Sequence, residues 1–223
     1  MRDSNFINRD CRTVRLSRRL FNAFVLTERS GCALNDELAL LENECLNCYK
    51  CPLGKTRTNL VFGTGNEHAQ IMFVGEGPGE QEDLQGLPFV GKSGKLLDLY
   101  LSLLDLDRNK NVYIANMVKC RPPHNRDPKP EETEVCLRYL RRQVKLIKPQ
   151  IIVCLGRIAA QRLISPEFRV TKQHGEFFKK GEIYMMGTFH PAALLRNEAK
   201  KKDALFDFQR LREKIDELSI NIY

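Results

Sequence analysis

The sequence predicts an α/β protein, a three-layer α/β/α sandwich with a central, mostly parallel sheet. Three observations carry that reading. The clearest strand candidates, Ile71–Val74, Val112–Ile114 and Ile151–Leu155, are short and continuously apolar, as strands covered on both faces are. Longer helical patterns separate them and are long enough to serve as crossovers between parallel strands. The residues best suited to chemistry follow directly after strands, where ligands bind in such sheets.

In chain order, Leu34–Leu46 reads as a helix with Leu34, Leu38 and Leu41 on one stripe. A cysteine-rich turn, Cys45 to Cys51, is closed by Pro52. Leu60–Phe62 and Ile71–Val74 are apolar runs ended by glycine and read as strands. Residues 75–91 read as a long Gly/Pro/acidic loop, and Ser93 as the N-cap of a helix carrying Leu96, Leu97, Tyr100, Leu101 and Leu104. After the strand Val112–Ile114, four prolines make residues 121–130 a loop. Glu131–Ile147 is a helix, acidic at its start and basic at its end, matching its dipole. Ile151–Leu155 is a buried strand, Arg157–Leu163 a helix, and Val170–Lys180 a polar hairpin or irregular pair. Ile183–Met186 is the last strand, Thr188–Asn197 a loop, and Lys201–Leu218 an amphipathic helix.

Composition excludes several classes. The 223 residues fit one ordinary domain with or without an extension, and 42% apolar with 29% charged is globular. No apolar run approaches the roughly 18–20 residues that span a bilayer, and the N-terminus lacks a secretory signal pattern. Eight cysteines are too sparse for a disulfide-stapled mini-protein, so reduced thiols in a cytoplasmic, membrane-free setting are expected. The net charge of +8 is compatible with a polyanionic partner. Residues 2–29 hold seven arginines against three acids. Residues 1–33 are therefore set apart as a basic extension: a poorly ordered segment, a targeting segment or an arm on nucleic acid. Residues 34–223 form the domain.

The cysteines suggest a soft-ligand site. Cys48-x-x-Cys51 lies on a turn, and Cys120 follows a strand 16 positions before Cys136. Thiolates so disposed select zinc or an iron–sulfur centre, and spacing does not separate the two. Cys45-x-x-Cys48 is a competing pair, and Cys154 sits inside an apolar strand as a core residue. The bland alternative is that all eight are unrelated thiols. A redox CxxC is less favoured, because no strand precedes it.

Three loops follow strands and should converge. Gly75-Glu76-Gly77-Pro78-Gly79 brings backbone close to a ligand and presents N–H groups to an anionic oxygen. It matches neither the dinucleotide fingerprint nor a P-loop. Phe89, in Pro88-Phe89-Val90-Gly91, is a local core residue or a stacking platform. Asn116 offers a donor and an acceptor, either to an Asx-turn or to the edge of a base. His190 follows the last strand candidate.

Together these motifs, with Asn116-Met117-Val118-Lys119-Cys120-Arg121-Pro122-Pro123, Asn125-Arg126 and His190-Pro191-Ala192-Ala193-Leu194-Leu195-Arg196, resemble those of the family 4 uracil-DNA glycosylases, iron–sulfur enzymes of bacteria and archaea. The resemblance runs in order from about Leu34 to Leu218. It implies the uracil-DNA glycosylase fold and a [4Fe–4S] cluster on Cys48, Cys51, Cys120 and Cys136, with Cys45 a bystander. It implies uracil bound by Gly75, Glu76, Gly77, Phe89, Asn116 and His190 after base flipping. In that reading Phe89 stacks, Asn116 reads the base edge, His190 donates to the leaving uracil and Glu76 stabilises the sugar cation or polarises water. Glu82 is expected to exclude thymine's methyl group. Lys92, Lys95, Arg121 and Arg126 are expected to touch phosphate, and Arg196 to do the same or to follow His190 into the DNA groove. A monomer acting on uracil-containing DNA, single- or double-stranded, is implied, in the bacterial or archaeal cytoplasm at the nucleoid. The alternatives are a cluster-bearing DNA-binding or redox-sensing protein without excision activity, and a same-fold glycosylase for another deaminated base.

Overall fold

The computed structural model describes residues 25–222. The chain separates into two units, Met1–Ala33 and Leu34–Tyr223, and the sheet belongs wholly to the second. The basic extension expected over residues 1–33 lies outside the described residues, save for the helix that begins at Val25. Among the described residues, no helix is long and apolar enough to cross a membrane.

The elements are α1 (Val25–Leu46), α2 (Leu53–Thr56), β1 (Thr64–Gly65), β2 (Ile71–Gly75), α3 (Glu80–Gln85), α4 (Lys92–Ser102), β3 (Val112–Asn116), α5 (Pro130–Ile147), β4 (Ile151–Leu155), α6 (Arg157–Leu163), α7 (Val170–Gln173), β5 (Phe177–Lys180), β6 (Ile183–Thr188), α8 (Pro191–Arg196) and α9 (Lys200–Glu217). Among the described residues, six strands form one sheet in the order β1-β3-β2-β4-β6-β5. The inner four are parallel, and each edge strand is antiparallel to its neighbour.

Both faces of the sheet are covered, which is why β2, β3 and β4 are buried at every position. Strand side chains alternate between faces. Met72, Val74, Ala115, Ile152 and Cys154 pack with Leu41, Tyr139 and Leu140 in one core. Ile71, Phe73, Ile114 and Val153 pack with Leu97, Phe208, Leu211 and Ile215 in the other. Fully burying each such side chain contributes about 1.5–3 kcal/mol, so the sandwich is held chiefly by apolar burial.

The register decides which residues meet. Gly75 pairs with Asn116 across β2 and β3, and Leu155 with Thr188 across β4 and β6. The carboxyl ends of these strands therefore reach one edge together, and the expected convergence of the three loops is observed.

Several local expectations are corrected. Leu60–Phe62 is not a strand: it is buried or half-buried cover bonded through Val61 N–H to the Lys119 carbonyl at 2.9 Å. The loop 75–91 contains α3, because Glu82 reaches back to the Gly79 N–H at 3.2 Å and Gly86 closes the helix at φ 72°. Gly91, not Ser93, caps α4. The loop 188–197 contains α8, started by Pro191 with His190 as its N-cap. Val170–Lys180 is a short helix followed by an edge strand. The first helix begins at Val25 rather than Leu34.

Candidate active site and thiol cluster

A cavity of about 560 Å³ opens at the carboxyl ends of the strands. Glu76, Gly77, Phe89, Asn116 and His190 all line it, together with Glu82, Lys92, Arg126, Asp127 and Arg196. Gly75 is not among the lining residues. Its place in the site is steric: a Cβ there would lie 2.5 Å from Asn116 Oδ1 and 2.6 Å from the Phe89 ring. Only glycine lets those two side chains stand side by side.

Asn116 is almost fully buried, and its Oδ1 has no hydrogen-bond partner. The Phe89 ring is buried, with its centroid 5.6 Å from that of His190. Phe89 also has a left-handed backbone at φ 54°. Glu82 fixes the loop that carries it. Its Oε1 accepts from the Val90 and Gly91 N–H groups at 2.9 and 2.8 Å.

His190 stands where β6 ends. That end is tied down behind it: Thr188 donates to Asp207 Oδ2 at 2.5 Å, and His174 Nδ1 lies 2.7 Å from Asp207 Oδ1. The Ala192 N–H donates to His190 Nδ1 at 3.1 Å. Nδ1 is thus an acceptor, and a neutral ring carries its proton on Nε2. Burial, with Arg196 nearby, pushes the His190 pKa down to about 4, so the ring is neutral near pH 7. Gly156 backs it at φ 94°, where a Cβ would meet His190 Cβ at 2.9 Å.

Glu76 follows β2 directly. Burial raises its pKa to about 7, helped by the Asp127 carboxylate and opposed by Arg157. Arg157 holds Asp127 at 2.7 Å. The carboxyl of Glu76 is therefore poised between its two forms near neutrality.

The basic residues divide into two groups. Lys92 and Arg196 are exposed at the cavity. Arg126 grips buried Glu132 through both guanidinium nitrogens at 2.8 and 2.7 Å. Arg121 Nε donates to Asn125 at 2.8 Å and lies outside the cavity lining. These two arginines brace the loop between Cys120 and Cys136.

Cys120 and Cys136 are buried in one core with Cys45, and half-buried Cys48 and Cys51 pack against it. Among the described residues, no group of three or more His, Cys, Asp or Glu is gathered closely enough to hold a single metal ion. A multi-iron cluster makes a looser demand, since each thiolate binds its own iron. The surroundings suit an anionic sulfur assembly. Arg57 donates to Cys120 Sγ at 3.1 Å, and the Lys119 N–H to Cys136 Sγ at 3.3 Å. Burial raises the Cys136 thiol to about 11 against the Lys119 ammonium. Burial also raises Cys120, offset in part by Arg57. Burial works against the Cys48 thiolate as well, but the Tyr139 hydroxyl and Lys50 N–H outweigh it and lower that pKa. Cys45, also buried, is pushed far up. Four soft donors with cations and N–H groups facing their sulfurs fit a cysteine-held iron–sulfur cluster.

Sequence reasoning missed Lys119, which is fully buried with Nζ 2.6 Å from Gln143 Oε1. It also missed Arg57 and Asp127. Lysine beside Cys120 was a readable hint. Arg57 and Asp127 come to the site only through the fold.

The family model for the uracil DNA glycosylase superfamily matches residues 62–210. A type-4 uracil-DNA glycosylase of Archaeoglobus fulgidus is 46% identical, over 76% of this chain and 89% of its own length. One from Sulfurisphaera tokodaii is 44% identical, over 80% and 84%. One from Thermotoga maritima is 42% identical, over 74% and 86%. With a family match across most of the domain and such identities over most of both chains, this protein belongs to the uracil-DNA glycosylase superfamily, and within it to the type-4 uracil-DNA glycosylases.

Proposed function

We propose that the cavity at the strand ends receives a uracil flipped out of DNA and that its residues share the work of breaking the N-glycosidic bond. The protein is a uracil-DNA glycosylase, a hydrolase of DNA repair. The observation that carries the reading of the site is the unpartnered, buried Oδ1 of Asn116. An unmet buried acceptor costs about 1–3 kcal/mol. The N3–H of uracil would satisfy it, while the Asn116 amide donates to uracil O4. Cytosine presents an acceptor at N3 and a donor at N4, so the same amide rejects it.

Phe89 stacks on the base. The C1′–N1 bond breaks with its electron pair going to uracil N1, and charge spreads onto O2. His190 Nε2–H donates to that oxygen, as a neutral ring is able to do. The Glu76 carboxylate faces the cation-like sugar, orients the water whose oxygen adds to C1′ and accepts the proton that this water loses. Gly75 and Gly77 allow the close approach, and Glu82 narrows the pocket toward thymine's methyl group. Lys92 and Arg196 take phosphates. Arg121 and Arg126 act by holding their loop in place.

Cys48, Cys51, Cys120 and Cys136 would hold a [4Fe–4S] cluster, with Cys45 beside it. When bound, the cluster supplies covalent ties between the Cys48–Cys51 turn, the segment after β3 and α5; hydrolysis needs no electrons. Residues 34–223 form the catalytic domain. A monomer in the cytoplasm, at the nucleoid, on single- or double-stranded DNA completes the reading.

An oligonucleotide with one uracil, incubated with the protein in EDTA and then heated in alkali, tests it. Cleavage is expected at uracil and not at matched thymine or cytosine. An intact strand from fully iron-loaded protein would overturn it.

The Glu76 assignment makes a pH prediction. Its carboxylate is the working form and its pKa is raised to about 7, so the single-turnover rate should climb through neutrality as the proton leaves. Glu76→Gln should flatten that climb. His190, lowered to about 4, should impose no loss in this range. A raised carboxyl pKa favours folding at low pH and loses that contribution between pH 4.5 and about 7. Glu76→Gln should therefore raise the melting temperature above neutrality and not in acid.

A further inference from the structure

Phe89 holds its ring in place from a backbone conformation that side-chain-bearing residues seldom adopt, φ 54°. Such a residue persists only where its surroundings over-determine it. The surroundings here are identifiable. On the amide side, Glu82 takes the two N–H groups that follow Phe89. On the carbonyl side stands Arg108, in the segment between α4 and β3. Its Nη1 donates to the Pro88 carbonyl at 3.1 Å and its Nη2 to the Phe89 carbonyl at 2.7 Å. Its Nε donates to Asp98 of α4 at 2.7 Å. One planar fork thus spans the two consecutive carbonyls around the residue with positive φ, a geometry that an ammonium does not reproduce. The helix beneath has been fitted to the same feature, since a Cβ on Gly94 would lie 1.7 Å from the Phe89 carbonyl oxygen.

We propose that Arg108 is a positioning residue for base recognition, clamping the Pro88 and Phe89 carbonyls so that the Phe89 ring presents its face to the extruded uracil. This rests on the reading of Phe89 as the stacking residue. Arg108 lies outside the cavity lining and touches no base; it acts through Phe89 alone.

The test uses the iron-loaded protein, free uracil as a competitive inhibitor, and single-turnover excision. Phe89→Ala should weaken inhibition by uracil by about 10- to 100-fold, the range found for loss of an aromatic stacked on a base. Arg108→Gln should weaken it by about 10-fold, and Arg108→Lys, which can serve one carbonyl, by less. In the Phe89→Ala background, Arg108→Gln should add less than about two-fold, because the two residues act as one unit. A purely structural role would instead give the same loss in both backgrounds, and that result overturns the inference. So does an Arg108→Gln protein inhibited like the parent while Phe89→Ala is not, which leaves the stacking reading intact. If Phe89→Ala itself binds uracil like the parent, the stacking reading falls and the inference falls with it. Should Arg108→Gln not fold, Asp98→Asn frees the far end of the clamp at a more exposed position. It should weaken inhibition by up to about five-fold in the parent and not at all in Phe89→Ala, and equal inhibition in the parent background overturns the inference.

Discussion

Replacing His190 by alanine is expected to slow uracil release by roughly 100- to 1,000-fold, the usual loss when one donor to a developing anion is removed. The expectation rests on the protonation state that the fold imposes. Burial and Arg196 push the ring's pKa to about 4, and the Ala192 N–H occupies Nδ1, so the proton sits on Nε2. Leaving uracil carries its charge on oxygen, and a neutral donor stabilises it without having to give up a proton fully. His190 also caps α8, and losing such a cap costs about 0.5–2 kcal/mol. Stability and catalysis therefore need separating. His190→Asn retains an acceptor for the cap and should recover the melting temperature without recovering the rate. Single-turnover excision with DNA binding followed in parallel checks this. If His190→Ala excises uracil at the parental rate, the donor is elsewhere.

The second large effect concerns the thiols. Cys136→Ala is expected to purify with little iron or sulfide, without brown colour, and with a melting temperature lower by about 8–16 °C. That range follows from a loss of about 4 kcal/mol or more when a structural metal group is removed, at about 2–4 °C per kcal/mol for a chain of this size. Cys136 lies in α5, and Cys120 in the segment after β3. The N–H of Lys119 and the guanidinium of Arg57 already face these sulfurs. Losing one ligand leaves buried donors and a buried lysine without the charge they are arranged around. Cys45→Ala is the control and should keep the parental iron content. Full iron in Cys136→Ala together with loss in Cys45→Ala would move the fourth ligand to Cys45.

Much of this is legible in the sequence. The three clearest strands are runs of apolar residues whose composition leaves them nowhere but between two layers of helix, and all three are bounded to within two residues. Asn116 and His190 were legible because each is a polar residue at or just past the carboxyl end of a strand candidate. What failed was mostly short. The helix α3 was hidden because its start depends on Glu82 bonding the Gly79 N–H, a contact that composition does not reveal. The helix α8 was hidden because six residues carry too little periodicity to register. Leu60–Phe62 was misread since an apolar run reports burial, and burial needs no ladder of hydrogen bonds.

Periodicity and apolar runs are local properties, so the fold class, the layering and the residue types at the strand ends can be read from the chain alone. Which of those residues act together depends on the folded arrangement. Register set Gly75 opposite Asn116. Close packing made the glycine obligatory there. Burial set Glu76 near neutrality and His190 in its neutral form. Arg126 at the cavity rim was tied to Glu132, and Arg108 was brought to Phe89 across 19 positions of chain. Each of these depends on distances through space, and residues far apart in sequence carry no local mark of the neighbours that folding gives them.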